Sequence, residues 1–259
     1  MMTRLTDSIW RYHDEIGATS YLVVGKECAA MIDCGGTGKP VMPLIRGITD
    51  LPVKLLLTHA HPDHYGSAEE FEEIWLHEDD VRALRVFEEA FAVMGVKPLN
   101  RKRLHAFSDG QAFDLGGEII TACALKGHTP GSVVFVSEKR RCIFSGDAVG
   151  SGDIVLMSVP LADHLSEYKR SLEDFLIRSE PWDDYTWYSG HYHQADRGEG
   201  AAPNTPCRAL IADMISLCGA LLEGKIRGEE TRELFAPDGK ARRAYMGRAG
   251  IVYSDKQIE

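Results

Sequence analysis

The stretch Leu55-Leu56-Leu57-Thr58-His59-Ala60-His61-Pro62-Asp63-His64-Tyr65-Gly66 constrains this chain more than any other part of it. A short apolar run feeds into four potential metal ligands within six positions. Leu55 to Leu57 are apolar toward both faces, so a strand there needs cover on both faces. His59 and His61 are two apart and project to the same side of an extended segment. Pro62 fixes the backbone and removes a donor, which ends the strand. A helix is predicted over 64–72, and the turn into it lets Asp63 and His64 approach from a different direction. Two imidazoles from one side, with a carboxylate and an imidazole from the other, make a two-cation layout. Histidine occurs ten times in 259 residues, so three in six positions beside an aspartate weigh against a merely polar loop.

The rest of the chain repeats the same device. A β-meander is predicted over 8–33, with strands around Ile9–Tyr12, Tyr21–Val24 and Ala29–Ile32 and turns at Gly17 and Gly25-Lys26. It ends in Ile32-Asp33-Cys34-Gly35-Gly36, where Asp33 can accept a hydrogen bond from a ligand imidazole or simply serve the turn. A short helix over 40–48 leads into the strand 53–57, and Ile74-Trp75-Leu76 suits a brief strand. Val81, Leu84, Phe87, Phe91 and Met94 keep helical spacing over 78–94, with acids in the first turn and Gly95 at the end. That aromatic stripe suits packing, and part of it can wall a pocket. Residues 96–117 are expected to form connecting hairpins. Strands at 118–125, 132–137, 141–145 and 185–188 follow, with a helix from Asp163 to Arg178 capped by Asp163, and an irregular segment over 150–162. Residues 196–206 have a linker-like composition, Thr205 and Pro206 open a helix to about Glu223, and 244–253 offers a last strand or hairpin. His59, His128, Asp147 and His191 each fall just past a predicted strand end beside glycine or a small residue. If those ends share one edge of the architecture, their side chains converge there.

Composition excludes some partners. The formal charge of -10, from 29 basic and 39 acidic residues, opposes a broad nucleic-acid footprint, while a small anionic substrate stays open because a metal sets its own local field. No apolar run approaches the roughly 18 residues of a membrane span, and the first residues lack the apolar core of a signal peptide. Six cysteines without C-x-x-C spacing suit reduced thiols in a cytoplasm, with Cys34 as a buried structural thiol. Small-molecule chemistry in the cytoplasm is the expectation, without membrane or nucleic-acid partners. Homo-oligomerisation is open but not legible.

The order His-x-His-x-Asp-His, then Gly-His-Thr-Pro-Gly-Ser, then Ser-Gly-Asp, then Gly-His resembles the metallo-β-lactamase superfamily over about residues 8–195. The resemblance implies an α/β fold: a four-layer αβ/βα sandwich, two facing mixed β-sheets flanked by helices, with the site at one edge. A single domain over 1–259 is expected, the C-terminal helix and hairpin (about 205–259) packed on it. The resemblance also implies one metal held by His59, His61 and His128 and a second by Asp63, His64 and His191, with Asp147 bridging. Two divalent ions are expected, zinc first, with iron or manganese as alternatives because imidazole and carboxylate accept all three. Charge counting agrees. Five neutral imidazoles and two carboxylates are strongly polar without ions, and neighbouring carboxylates would raise each other's pKa.

The function so implied is hydrolysis of an ester-type bond (thioester, lactone or other small ester) by a metal-activated hydroxide, with Asp63 orienting or accepting its proton. A true β-lactamase is not expected, because those enzymes lack an aspartate at the position of Asp147 and are exported. A phosphodiesterase or phosphonate-type hydrolase, a mono-iron persulfide dioxygenase and a silent scaffold are the alternatives. His193 can replace His191, touch substrate or support a ligand, and His191 is favoured by its Gly-His context. Tyr168 and Tyr192 are candidate oxyanion or leaving-group donors, with core or rim packing as the competing role. His77, His105 and His164 are expected to be ordinary polar residues, with His164 the one nearest a pocket.

Overall fold

Apolar residues on both faces of the central strands decide the layering. The computed structural model describes residues 1–150, 154–191 and 206–258. In chain order the elements are β1 (Met2–Arg4), β2 (Ile9–His13), β3 (Thr19–Val24), β4 (Ala29–Ile32), α1 (Met42–Arg46), β5 (Val53–Leu56), α2 (Pro62–Tyr65), β6 (Glu73–His77), α3 (Glu78–Ala90) and β7 (Leu104–Phe107). There follow β8 (Ala112–Asp114), β9 (Ile119–Ala124), β10 (Val133–Ser137), β11 (Cys142–Gly146), β12 (Ile154–Leu156), α4 (Leu165–Arg178), β13 (Thr186–Ser189), α5 (Arg208–Leu222), β14 (Glu229–Arg232), β15 (Lys240–Met246) and β16 (Ala249–Tyr253).

Among the described residues these strands make three sheets: β1 to β7 in sequential order, β13-β11-β10-β9-β8, and β12-β16-β15-β14. In the first sheet β1 to β4 pair antiparallel, and β4 to β7 pair parallel. Leu55 and Leu57 face one side of it and join Ile45 of α1 with Leu84 and Phe87 of α3. Leu56, between them, faces the other side with Ile32, Val133, Phe135 and Phe144. The side-chain period of two thus cements the first sheet to a helical layer on one face and to the second sheet on the other. Val134 and Val136 of the second sheet point away from that interface, toward Tyr168, Leu172 and Phe175 of α4 and Leu210, Met214 and Leu217 of α5. Helix, sheet, sheet, helix is the expected four-layer α/β sandwich. Each fully buried leucine or phenylalanine contributes roughly 1.5–3 kcal/mol to it.

The structure departs from expectation in detail. The helix foreseen over 64–72 is one turn, Pro62–Tyr65, followed by a separate 3-10 turn at Ala68–Glu70. It stops because Gly66 donates to the Gly35 carbonyl at 2.6 Å. The backbones touch there, since a Cβ on Gly66 would lie 2.7 Å from the Gly36 carbonyl carbon. The N-cap position expected of Asp163 is occupied by His164, whose side chain makes no cap hydrogen bond, and the Asp163 amide donates to the Gly127 carbonyl at 2.8 Å. Of the pair expected to open the last helix, Thr205 lies outside the described residues, and α5 is preceded by Cys207. The third sheet is an addition: β12, in a segment expected to be irregular, pairs parallel with β16 of the C-terminal hairpin. No helix among the described residues is long and apolar enough to cross a membrane.

Candidate metal centre

The loops that leave β5, β9, β11 and β13 open on one edge of the two facing sheets. Residues 57–64 come from the first sheet, and His128, Asp147 and His191 come from the second. Two close approaches draw them in. Gly146 has φ +48°, and a Cβ there would sit 2.4 Å from Thr58 Oγ1. A Cβ on Gly190 would sit 2.4 Å from Asp147 Oδ1.

All seven side chains named from the sequence meet. His59, His61 and His128 form one trio, His59, His64 and Asp147 a second, and Asp63, His64 and His191 a third, with the ligand atoms of each trio within 4.8 Å of one another. Ring centroids lie 4.7 Å apart for His59 and His61, 4.6 Å for His61 and His128, and 5.3 Å for His64 and His191. Asp63 Oδ2 is 3.2 Å from His191 Nε2, and Asp147 presents Oδ1 at 3.5 Å to His64 Nε2 and Oδ2 at 3.8 Å to His128 Nε2. Asp147 therefore stands between the two groups of imidazoles.

The fit of this set to metal rests on its Nε2 atoms. Those of His59, His61, His64, His128 and His191 are all buried and have no hydrogen-bond partner. A buried nitrogen left so costs about 1–3 kcal/mol. His64 and His191 face carboxylates at 3.5 and 3.2 Å, whereas the three of His59, His61 and His128 converge with no such partner, as a cation's ligands would. The opposite ring atoms of His59, His64 and His128 are held. His64 Nδ1 is 2.8 Å from Asp33 Oδ2, and His128 Nδ1 is 2.8 Å from the Leu156 carbonyl. Thr58 donates its hydroxyl to Asp33 Oδ2 at 2.8 Å and lies 3.1 Å from His59 Nδ1. Donation from Nδ1 leaves the Nε2 lone pair free to ligate. Asp33, expected to support one imidazole, thus supports His64 directly and His59 through Thr58. It adopts φ +55°, a left-handed conformation that aspartate tolerates better than most residues.

Electrostatics divides the site. Burial, and then the neighbouring imidazoles, push His59 and His61 well below the ordinary histidine range. Burial also lowers His128. Burial acts the same way on His64 and His191, but the surrounding carboxylates outweigh it: His64 is raised well above its usual value, and His191 is raised to about 10. Burial alone would lift the Asp63 and Asp147 carboxyls, yet His64 and His191 hold both below the usual carboxylate range. One half of the site thus favours neutral imidazoles, and the other pairs imidazoles with carboxylates, so that an arriving cation would compete there with protons.

The remaining residues separate clearly. The Tyr168 ring is fully buried, and its hydroxyl donates to the Ala148 carbonyl at 2.8 Å, so it is a core residue with no hydroxyl to offer a substrate. Tyr192 and His193 lie outside the described residues. His77 accepts from the Asp79 amide and caps α3, His105 stacks on Trp75, and His164 precedes α4. Cys34 is buried and free. One residue was missed. Asp80, fully buried, accepts from the Ala60 amide (2.8 Å), the Thr129 hydroxyl (2.9 Å) and the Gly131 amide (2.7 Å), tying the loop of His59 and His61 to that of His128. Burial raises its carboxyl to about 6.

Comparison with known proteins follows the same outline. The family profile described as the metallo-beta-lactamase superfamily matches residues 13–191. A hydroxyacylglutathione hydrolase of Haemophilus influenzae is 31% identical over 150 residues, covering 52% of this chain and 68% of that protein. An acyl-coenzyme A thioesterase of Gallus gallus is 25% identical over 187 residues, covering 60% and 67%. A beta-lactamase domain protein from Burkholderia ambifaria superposes with a TM-score of 0.62 at 17% identity, covering 86% of this chain and 74% of that one, a likeness of fold.

Proposed function

Because this chain belongs to the metallo-β-lactamase superfamily and is a metal-dependent hydrolase, we propose that it cleaves an ester-type bond, with thioesters foremost, in a small molecule. His59, His61 and His128 would hold one divalent ion, Asp63, His64 and His191 a second, and Asp147 would contact both. The single observation that carries this reading is the convergence of five buried Nε2 atoms on two carboxylates in three ligand-spaced trios. The named activities of the Haemophilus and Gallus relatives, both thioester hydrolyses, favour a thioester over other esters.

When bound, such ions lower the pKa of a coordinated water toward 7 and polarise a carbonyl oxygen. The chain's own residues supply the rest. Asp63 is the most open of the two carboxylates, its side chain 23% exposed against 8% for Asp147. It is therefore the group placed to hold the nucleophile's proton and pass it to a leaving group. Asp33, through His64 directly and Thr58 toward His59, fixes the tautomers that point both Nε2 atoms inward. The packed rings of Phe87 and Phe91 against His61 exclude water from that flank.

The test is turnover by zinc-, iron- and manganese-loaded protein on a panel of thioesters, lactones, aryl esters and phosphodiesters, with metal analysis and an oxygen electrode. Thioester cleavage with up to two metals per chain is expected, and Asp147→Ala should lose both a metal and turnover. Turnover of phosphodiesters alone, oxygen uptake with a persulfide, or full dimetal occupancy and activity in the alanine variant would each overturn it.

A further inference from the structure

The flank of the metal centre beyond His61 is apolar, and part of it comes from the C-terminal segment that lies outside the family match. The His61 ring meets Phe91 edge-on at 4.8 Å, and Phe91 in turn meets Phe235 at 4.4 Å. Leu156, whose carbonyl is 2.8 Å from His128 Nδ1, belongs to the same apolar cluster, as do Val159, Ala162 and Met94. Three segments distant in sequence, 87–94, 156–162 and 235, thus build one wall beside two of the imidazoles. Phe91 is buried, but Phe235 is only partly so. Next to these residues sit large apolar side chains with little cover: Leu234 is 74% exposed, Val93 75% and Leu161 43%. The other flank is acidic, with Asp63 and Asp147.

We propose that this wall is an acyl subsite: the enzyme takes thioesters or esters whose acyl limb is an unsubstituted aliphatic or aryl chain, laid against Phe91 and Phe235, with Phe235 as a specificity-determining residue. The proposal rests on the ester-type reading above. Phe235 is only partly buried while its ring meets Phe91 edge-on, so it keeps surface that a chain could cover. A polar acyl group suits the wall poorly. A hydroxyl moved from water onto carbon surface without a partner is penalised, whereas each methylene fully removed from water gains a factor of about 4 in affinity. A half-covered wall gives a smaller step per methylene, yet an eight-carbon chain still outranks acetyl by more than tenfold on this argument. The site should then rank acyl limbs octanoyl, butyryl, acetyl, with 2-hydroxypropanoyl below butyryl.

Two measurements on the zinc-loaded full chain test this. The first is kcat/KM for acetyl, butyryl, octanoyl and 2-hydroxypropanoyl thioesters of one thiol. The second is calorimetric affinity for the product carboxylates octanoate and acetate, which needs no turnover. Wild type should favour octanoyl over acetyl, and octanoate over acetate, by at least about tenfold. Phe235→Ala should shrink both ratios by about tenfold, while Phe235→Leu, which keeps an apolar surface, should retain most of them. Equal affinity for octanoate and acetate in wild type, a preference for the hydroxylated acyl group, or an alanine variant that weakens both carboxylates by the same factor would overturn the subsite. Should no thioester or ester be cleaved, the hydrolytic reading fails, and the octanoate-to-acetate ratio still decides whether the wall binds acyl chains.

Discussion

At the scale of single residues, two buried aspartates organise the site without being able to ligate it. Asp33 was legible because an acid directly after an apolar strand and before two glycines has few other uses. Asp80 was not, because its partners Ala60, Thr129 and Gly131 lie 20, 49 and 51 positions away, and its own surroundings, Glu78-Asp79-Asp80, look like ordinary helix-start acids. Its chemistry makes a sharp prediction. All three partners are donors, so an amide in Asp80→Asn must turn its NH2 toward at least one of them. The variant should lose roughly 1–3 kcal/mol, bind metal more weakly at His59, His61 and His128, and show both losses in chelator titration and denaturant melts. The pH dependence has a definite sign. The Asp80 carboxyl is raised from 3.8 to about 6, so the folded chain holds this proton more tightly than the unfolded one. Its contribution to stability is therefore greatest below about pH 4 and declines as pH rises toward 6, by an amount on the order of 3 kcal/mol. Asp63 and Asp147, both lowered, act in the opposite sense and lose stability as pH falls. Comparing wild type with Asp80→Asn in the presence of chelator isolates the first effect. The stability difference between them should narrow as pH rises from 4 to 6, and a constant difference would contradict the assignment.

At the scale of elements, glycines set how closely the strand ends can approach. Gly190 follows β13, and a Cβ there would meet Asp147 Oδ1 at 2.4 Å, the Gly146 carbonyl carbon at 2.9 Å and His64 Cε1 at 3.0 Å. Gly190→Ala should consequently displace Asp147. Expected outcomes are a folded protein with unchanged far-ultraviolet dichroism, fewer than two metals per chain and turnover lowered by at least about tenfold, the scale of losing one well-placed group at such a centre. Full metal content in that variant would show that the loop yields freely. Strands with short unbroken apolar runs, such as β3, β4 and β10, could be located from sequence because both of their faces are covered. β14 could not. It reads Glu-Glu-Thr-Arg, is mostly exposed, and is held by pairing with β15 rather than by burial. β12 is three residues long, and its register depends on β16, almost a hundred positions away, which no local pattern records. Phe235 escaped for the same reason: its partner Phe91 belongs to a distant helix end.

At the scale of the whole molecule, the metal centre is also the clasp between the two principal sheets. His59, His61, Asp63 and His64 follow β5 of the first sheet, while His128, Asp147 and His191 follow strands of the second. Elsewhere the sheets are joined by the apolar interface of Ile32, Leu56, Phe135 and Phe144. At the site edge apolar packing gives way to charge, and without cations that edge holds two carboxylates facing His64 and His191, and three imidazole nitrogens, of His59, His61 and His128, with no hydrogen-bond partner. Stripping the metal should therefore destabilise the molecule unevenly. Binding at a free concentration of 1,000 times Kd adds about 4 kcal/mol to the folded state, which for a chain of this size corresponds to a Tm shift of roughly 10 °C. Scanning calorimetry with and without chelator should show a fall of that order, reversed by adding zinc. Amide exchange should locate it: 58–66, 127–132 and 146–150 should lose protection on stripping, while β3, β4 and β10, at the interface of the two sheets, keep theirs. An unchanged Tm, or a loss of protection spread evenly through both sheets, would mean that the interface alone carries the architecture and that the clasp contributes nothing to it.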